Sequence, residues 1–280
     1  MNNGSFTLSN GVLLPALGFG TYKSKNGEEA FSAVLKALEC GYRLIDTAEF
    51  YGNEESIGKA VRGSGLLRGD VMITSKVWNT NRGYDNTMRA FERSLKTLGT
   101  DYMDLYLIHW PANALRYEEP HKVNLDTYKA LISLYEQGVV KAIGVSNFKP
   151  HHLEPLMYTN VKPMVNQIEF HPGFMQKDTV EFCKGNDIVV EAWSPMARGE
   201  CFTHPVIKTL AEKYACTPAQ LCVRWCLQHE VLPLPKSVTA ERIKSNKEVF
   251  FFEISEEDMK LIDSMPFCGG SGHDSDKVEF

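Results

Sequence analysis

Four residues that can move protons or hold charge stand at the ends of short apolar runs, or just beyond them. Asp46, Lys76 and His109 each end such a run, and Tyr51 follows Asp46 closely. A phenol, with an ordinary pKa of about 10, donates its proton poorly at neutral pH unless its phenolate is stabilised. A neighbouring ammonium lowers that pKa, a carboxylate keeps the ammonium charged, and a neutral imidazole orients a carbonyl oxygen. The combination predicts machinery that protonates an oxygen atom while negative charge builds on it.

Each of these residues also has a structural interpretation. Asp46 and Lys76 could be an ion pair between neighbouring strands, His109 a hydrogen-bonded structural histidine, and Tyr51 a loop residue packed on the fold. Desolvated charges that meet in one place need a partner or a purpose, so the combination favours catalysis. None of these side chains can donate a hydride, so a reduction at this site requires a cofactor.

The elements that must position these residues follow from an alternation of apolar runs with helical patterns. Candidate strands cover residues 16–19, 43–46, 71–76, 103–108, 140–144, 164–169, 188–193 and 231–235. This alternation predicts parallel strands with helical connections, closed into a (β/α)8 TIM barrel whose active site lies at the carboxyl ends of the strands. The competing fold is an open doubly wound sheet, but Gly18 and Gly20 lack the third glycine of its dinucleotide fingerprint.

Turn and cap residues place several further elements. Residues 6–14 predict a β-hairpin that turns at Asn10-Gly11, which we place at the bottom of the barrel. One helix is expected from Glu28 to Cys40, and residues 217–220 combine an N-cap threonine, a proline and a box-closing glutamine. Two helices fit between the seventh and eighth strands, with extra helices near the C-terminus. Because no linker interrupts the chain, we expect one domain over residues 1–280.

Composition excludes several classes of function. The 280 residues carry a net charge of −5 and are 43% hydrophobic, which is typical of a globular protein and argues against nucleic-acid binding. No apolar run is long enough for a membrane helix, and residues 1–5 do not begin a secretory signal, so we expect a cytoplasmic protein. Cys222 and Cys226 lie one helical turn apart, but nothing in the sequence completes a metal site. We expect free thiols and no metal.

The residues above belong to longer motifs that resemble the aldo-keto reductase family. The matching segments are residues 18–21, 41–54, 73–78, 104–111, 141–148, 166–172, 192–195 and 235–238, together with Arg242. The pattern is similar to a microbial-type branch that includes prostaglandin F synthases, methylglyoxal reductases and diketogluconate reductases. The resemblance implies NADPH-dependent reduction of aldehydes or ketones by a monomer. In that family the positions of Asp46, Tyr51, Lys76 and His109 form the catalytic tetrad, with the tyrosine as proton donor.

The resemblance also implies which residues hold the nicotinamide half of NADPH. Ser146, Asn147 and Gln167 would bind the carboxamide, and Trp193, a tyrosine in many relatives, would stack on the ring. The pyrophosphate would lie at Ser194 and Met196, and the ribose at Gly20, Thr21 and Asp46.

The adenosine 2′-phosphate is expected at Lys236 and Arg242, with contacts from Ser237, Val238, Thr239 and Asn246. Spacing places Thr239, Arg242 and Asn246 on one face of a helix that starts just after Ser237. A helix N-terminus with a lysine and an arginine makes an anion site, although a solvated basic face is the alternative. Ser245 departs from the family, because relatives commonly carry there a glutamate that contacts adenine.

The expected substrate is a small carbonyl compound held between aromatic walls. These walls are Tyr22, Phe50, Trp78 and Trp110, with His109 reaching the carbonyl oxygen. The aromatic walls predict a narrow slot, and the short loop after Trp110 and short tail after Pro266 predict an open outer rim. Two other classes remain open: an aldolase that forms a Schiff base on Lys76, and a cofactor-binding regulatory subunit such as some potassium-channel β subunits. Asp46 disfavours the aldolase, which needs a neutral lysine.

Overall fold

A computed structural model describes residues 4–280 of the chain. We expected no secretory signal on the basis of residues 1–5, and most of these residues lie outside the described range. Within them the strands are β1 (Ser5–Thr7), β2 (Leu13–Pro15), β3 (Phe19–Gly20), β4 (Leu44–Asp46), β5 (Met72–Val77), β6 (Met103–Ile108), β7 (Val140–Ser146), β8 (Val165–Glu169), β9 (Val189–Trp193) and β10 (Leu232–Pro233).

Strands β3 to β10 form one parallel sheet whose spatial order is the order of the chain. Its two outer strands also meet, because the Gly18 N–H donates to Pro233 O (3.1 Å) and the Gly20 N–H donates to Pro235 O (3.0 Å). These bonds close the sheet into a cylinder. The expected (β/α)8 TIM barrel is therefore confirmed.

The seam of the barrel explains why its two strands are shorter than the expected residues 16–19 and 231–235. Pro233 and Pro235 have no N–H group to donate to a ladder. The backbones also approach closely: a Cβ atom on Gly18 would lie 2.4 Å from the Leu234 side chain, and one on Gly20 would lie 3.0 Å from Leu234 O. Only glycine fits such a contact without displacing its neighbour.

The N-terminal hairpin forms as expected, with β1 and β2 antiparallel and Ser5 opposite Pro15. Asn10 lies in its turn and donates from Nδ2 to Lys141 O (2.9 Å), near the start of β7. The hairpin therefore lies at the amino-terminal end of the barrel, away from the carboxyl ends of the strands.

Helices connect the strands and cover the barrel. In the same part of the chain they are α1 (Glu28–Glu39), α2 (Glu54–Gly63), α3 (Tyr84–Leu98), α4 (Pro120–Glu136), α5 (Pro150–Leu153), α6 (Lys177–Lys184), α7 (Pro205–Lys213), α8 (Pro218–Gln228), α9 (Ala240–Lys247) and α10 (Glu256–Asp263). The expected cap of α8 is present: Thr217 Oγ1 accepts from the Gln220 N–H (3.2 Å), and Gln220 Oε1 accepts from the Thr217 N–H (2.9 Å). Among residues 4–280, no helix combines the length and apolar character needed to cross a bilayer.

Candidate active site

Asp46 and Lys76 form a buried ion pair between the adjacent strands β4 and β5. Lys76 Nζ donates to Asp46 Oδ1 (2.8 Å), Asp46 Oδ2 (2.7 Å) and Thr47 O (2.9 Å). An ammonium has three N–H groups, so all of them are used. Both side chains are almost fully buried, and removal of either would leave an uncompensated charge inside the barrel.

Tyr51 and His109 lie beside this pair. Tyr51 ends a short turn, Glu49–Tyr51, that follows β4, and His109 follows β6 directly. The two rings are 5.6 Å apart between centroids and nearly perpendicular, and Lys76 Nζ lies 5.1 Å from the Tyr51 ring centroid. The structure thus brings together the four residues that the sequence singled out.

The expected effect of Lys76 on the phenol is not what the structure gives. Burial raises the pKa of Tyr51 well above its ordinary value, and the nearby Asp46 and Tyr22 raise it further. The charge of Lys76 does not outweigh burial, because the carboxylate of Asp46 bound to it opposes its effect. Tyr51 therefore keeps its proton at neutral pH, which is the form that a proton donor needs.

The imidazole of His109 is neutral, as the sequence reasoning requires. Burial lowers the pKa of His109 well below its ordinary value, and the charge of Lys76 adds to this effect. Among the described residues, no group hydrogen-bonds to His109 Nδ1. The ring can therefore orient an oxygen without carrying a charge of its own.

The residues expected at the carboxamide already form a network. Asn147 Nδ2 donates to His109 O (2.9 Å) and to Ser146 Oγ (3.0 Å), and Trp193 Nε1 donates to Asn147 Oδ1 (2.8 Å). Ser146 Oγ in turn donates to Gln167 O (2.7 Å). Asn147 thus links Trp193 to the backbone of His109, and its Oδ1 retains a lone pair that can accept from a ligand.

Gln167 connects the ion pair to a carboxyl group that the sequence reasoning missed. Its Nε2 donates to Asp46 Oδ2 (2.8 Å) and to Glu191 Oε2 (2.8 Å). Glu191 lies in the middle of β9 and has no exposed surface. Burial and the charge of Asp46 raise its pKa to about 7. A glutamate within the apolar run Val-Val-Glu-Ala-Trp was the available signal, because such a residue is almost never fully buried without a partner.

The ribose and pyrophosphate residues lie at the same end of the barrel. Thr21 Oγ1 donates to Asp46 O (2.9 Å), which places Gly20 and Thr21 beside the ion pair. Ser194 and Met196 follow β9, where Ser194 has a left-handed backbone with φ of 50°. Non-glycine residues in this conformation are concentrated at binding and catalytic sites.

The expected phosphate residues lie after β10, with one difference. Helix α9 starts at Ala240, so Thr239 is its N-cap rather than an internal residue. Arg242 is exposed whereas Asn246 is buried, so the helix face that they were expected to share is only partly exposed to solvent.

The basic residues fit a phosphate group. Lys236 is half-buried between Ser237 and the barrel seam, and burial lowers its pKa. In the described part of the chain neither Lys236 nor Arg242 makes an ion pair, and Val238 is exposed beside them. Because a half-buried cation favours an anionic ligand, Lys236 together with the exposed Arg242 fits a phosphate group such as the 2′-phosphate of NADPH.

The expected aromatic walls surround Tyr51 and His109. Phe50 stacks on Trp78 at 3.8 Å between ring centroids, and Trp78 lies 5.0 Å from His109. Tyr22 lies 5.0 Å from Tyr51. Trp110 faces Trp193 at 6.5 Å on the other side. These rings form the walls of an aromatic slot above the buried polar residues.

The expected open rim is wrong, because the C-terminal tail crosses the mouth. Phe280 stacks on Trp78 (5.7 Å, 21° between planes) and meets Trp110 edge-on (5.3 Å). Asn79 Nδ2 donates to Phe280 O (3.0 Å), and Asn113 Nδ2 donates to Val278 O (2.9 Å). Phe280 is thus a wall residue that the sequence reasoning missed, since a short tail carries no local signal of where it folds.

A polar latch holds this tail beside the Asn147 loop. It consists of Lys149, His151, His152, Asp274 and Asp276, in which Lys149 Nζ pairs with both aspartates. Within residues 4–280 only His151, His152 and Asp276 lie close enough to share a metal ion. However, His152 Nδ1 accepts the Lys149 N–H (3.1 Å), so its Nε2 carries the proton and donates to Asp276 (3.0 Å). That tautomer leaves no lone pair for a metal.

The cysteines are all free thiols in the structure. Cys222 has a neighbour that the sequence did not indicate, because Cys201 Sγ lies 3.6 Å from Cys222 Sγ. No third ligand joins this pair among the described residues.

Comparison with known proteins agrees with this geometry. The profile of the Aldo/keto reductase family matches residues 16–266. The chain is 46% identical to a glyoxal reductase of Bacillus subtilis, across 98% of this chain and 96% of that protein. It is 45% identical to a 9,11-endoperoxide prostaglandin H2 reductase of Trypanosoma cruzi, across 94% and 92%. A crystal structure of a Gox0644 variant in complex with NADPH superposes with a TM-score of 0.91, at 38% identity and full coverage of both chains.

These matches extend over the barrel and every strand end that contributes to the site. The relatives include the microbial enzymes that the motifs indicated. The chain therefore belongs to the aldo/keto reductase family and is an oxidoreductase of carbonyl compounds.

Proposed function

We propose that this enzyme reduces aldehydes or ketones to alcohols, with NADPH as hydride donor and Tyr51 as proton donor. The observation that carries the proposal is a buried, protonated phenol beside a neutral imidazole, 5.6 Å apart between ring centroids. Both groups can donate a hydrogen bond to one oxygen atom. This arrangement matches the needs of a carbonyl group that gains negative charge during reduction.

The roles of the residues follow from their contacts. His109 and Tyr51 hold the carbonyl oxygen, and Tyr51 transfers its proton to that oxygen as charge develops there. Lys76, held in place by Asp46, lies 5.1 Å from the Tyr51 ring and stabilises the phenolate that remains. NADPH, when bound, supplies the hydride to the carbonyl carbon. The aromatic walls exclude water from the reacting atoms.

The cofactor assignment uses the residues that the family pattern implies. Ser146, Asn147 and Gln167 would hold the carboxamide, Trp193 would meet the ring, and Ser194 and Met196 would hold the pyrophosphate. Gly20, Thr21 and Asp46 would meet the ribose. Lys236 and Arg242 would bind the 2′-phosphate, assisted by Ser237, Val238, Thr239 and Asn246. The half-buried Lys236, which lacks a described ion-pair partner, supports this placement.

For the substrate we propose compact aldehydes and α-dicarbonyls. Aromatic rings line the slot between Tyr22, Phe50, Trp78 and Trp110, and Phe280 adds a further ring that contacts Trp78 and Trp110. Such apolar sites discriminate by shape. The similarity to a glyoxal reductase supports this class, whereas the similarity to a prostaglandin endoperoxide reductase makes bulkier substrates the alternative.

The test is the initial rate of NADPH oxidation with a panel of aldehydes, ketones and keto acids. We expect turnover, highest with glyoxal-type compounds. NADPH binding without turnover of any member would favour a regulatory subunit instead. Trapping of a substrate on Lys76 by borohydride would favour the Schiff-base aldolase.

We also propose that residues 1–280 form one domain and that the protein is a cytoplasmic monomer. All cysteines are free, which suits a reducing compartment. Light scattering checks the monomer, limited proteolysis checks the single domain, and localisation of a tagged chain checks the compartment.

A further inference from the structure

The amide nitrogen of Gln167 lies between two carboxyl groups. Its N–H groups reach Asp46 Oδ2 on one side and Glu191 Oε2 on the other, each at 2.8 Å. Gln167 and Glu191 are direct neighbours in the ladder between β8 and β9. Because an amide nitrogen has two N–H groups, this arrangement uses both of them.

The two acceptors fix which end of the amide faces inward. If the amide turned over, Gln167 Oε1 would face the carboxylate of Asp46, the ion-pair partner of Lys76, and an oxygen lone pair against a carboxylate is repulsive. The charged and titratable groups around Glu191 are Asp46 on β4 and Lys76 on β5. Neither of them hydrogen-bonds to Glu191 itself, and Gln167 is its only side-chain partner among the described residues.

Only the oxygen of the amide is then available for a ligand. Within the described residues, no protein group donates to Gln167 Oε1, although Gln167 is buried. A carbonyl oxygen held in this way accepts hydrogen bonds and cannot donate them. It therefore selects a ligand that presents an N–H group.

We propose that Glu191 is a positioning residue that, together with Asp46, holds Gln167 Oε1 as a fixed acceptor for the NH2 group of the nicotinamide carboxamide. This inference rests on the proposed function, in which Gln167 meets the carboxamide. Glu191 does not touch the cofactor. It acts through Gln167, and its contribution is measured by how well the protein recognises that NH2 group.

The test compares NADP⁺ with its acetylpyridine analogue, in which a methyl group replaces the carboxamide NH2. Calorimetry gives the dissociation constants of both for the wild type, Glu191→Leu and Glu191→Gln. Leucine is similar in size but accepts no hydrogen bond, whereas glutamine retains an acceptor oxygen. Glu191→Leu should weaken NADP⁺ binding about tenfold, because the hydrogen bond from the carboxamide NH2 to Gln167 Oε1 is lost. Binding of the analogue, which cannot make this bond, should weaken less than about twofold. Glu191→Gln should bind both within about threefold of the wild type.

Val190→Ala is the matched control. Val190 is the buried neighbour of Glu191 on the same strand, and alternation points its side chain to the opposite face of the sheet. It should leave the ratio of the two dissociation constants unchanged. If Glu191→Leu gives no folded protein, Glu191→Ala removes the same acceptor without adding an apolar chain.

Equal weakening of NADP⁺ and the analogue by Glu191→Leu would show that Glu191 only supports the fold, and would overturn the proposal. Unchanged binding of NADP⁺ would overturn it as well. A different result would contradict the proposed function: a wild-type protein that binds NADP⁺ but does not oxidise NADPH with any of the carbonyl compounds.

Discussion

Phe280, the last residue of the chain, stacks on Trp78, 5.7 Å away between ring centroids and 21° from parallel. Trp78 in turn lies 5.0 Å from His109, so Phe280 is one ring away from His109. Phe280 lies beside the path that we propose for a substrate to Tyr51 and His109. The tail therefore contributes to the shape of the slot.

Phe280→Ala should relax selection against branched substrates. We expect kcat/KM for a ketone branched on both sides to rise about tenfold relative to methylglyoxal, because removing a few carbon atoms from an apolar wall changes discrimination by about 1–3 kcal/mol. Steady-state kinetics with both substrates measures the ratio. Phe251→Ala, which changes an exposed phenylalanine elsewhere, is the control. An unchanged ratio would mean that Trp78 and Trp110, without Phe280, set the discrimination between the two substrates.

Tyr51→Phe should abolish turnover while NADPH binding stays within about threefold of the wild type. The variant keeps the ring that packs near His109 and removes only the proton that is transferred. General acid catalysis contributes about 10²–10⁴-fold, so the rate should fall at least a hundredfold. Rates with an aldehyde and fluorescence titration of NADPH measure the two effects.

Tyr158→Phe is the matched control, because Tyr158 is 91% exposed and lies outside the barrel mouth. It should retain the wild-type rate. If Tyr51→Phe retained more than about a tenth of the rate, well above what loss of a general acid allows, another group would be the proton donor.

That Asp46, Tyr51, Lys76 and His109 meet was predictable because each lies at or shortly beyond the end of a strand, and a parallel barrel collects those ends at one mouth. The barrel itself was predictable from regular alternation, and the α8 cap from Thr217 and Gln220 alone. These features depend on neighbours along the chain or on the symmetry of the fold. Strand ends away from the seam differ from the expected ones by at most two residues, whereas at the seam Pro233 and Pro235 limit the ladder.

Features that depend on distant contacts were not predictable. No residue next to Phe280 in the sequence indicates that it contacts Trp78. Likewise, no residue next to Glu191 indicates that Gln167 Nε2 donates to both Glu191 and Asp46. The pKa of Tyr51 was expected to fall because Lys76 is near. Burial raises it instead, and burial depends on how the complete mouth packs.

Replacing Lys236 and Arg242 by alanine should remove the preference for NADPH over NADH. A hydrogen bond to a charged group contributes about 1.5–3 kcal/mol, so losing two should raise the dissociation constant of NADPH about a hundredfold or more. The constant for NADH, which has no 2′-phosphate, should change little. Lys244→Ala, on the same helix but paired with Glu248, is the control. Equal weakening of both cofactors would place the 2′-phosphate elsewhere.

Glu191→Gln should stabilise the protein at neutral pH and much less in acid. The pKa of Glu191 is raised to about 7 in the folded protein, whereas in the unfolded chain it is about 4.3. Between these values the unfolded chain releases a proton that the folded protein retains, so the wild type loses stability as pH rises from about 4 to about 7. Glutamine has no proton to release.

The free energy of unfolding of the variant should therefore exceed that of the wild type by up to about 3 kcal/mol above pH 7, with a difference that shrinks towards pH 4.5. Urea unfolding of both proteins across this range measures the difference. A difference that does not vary with pH would mean that Glu191 is ionised throughout, and that Gln167 and Lys76 compensate its charge.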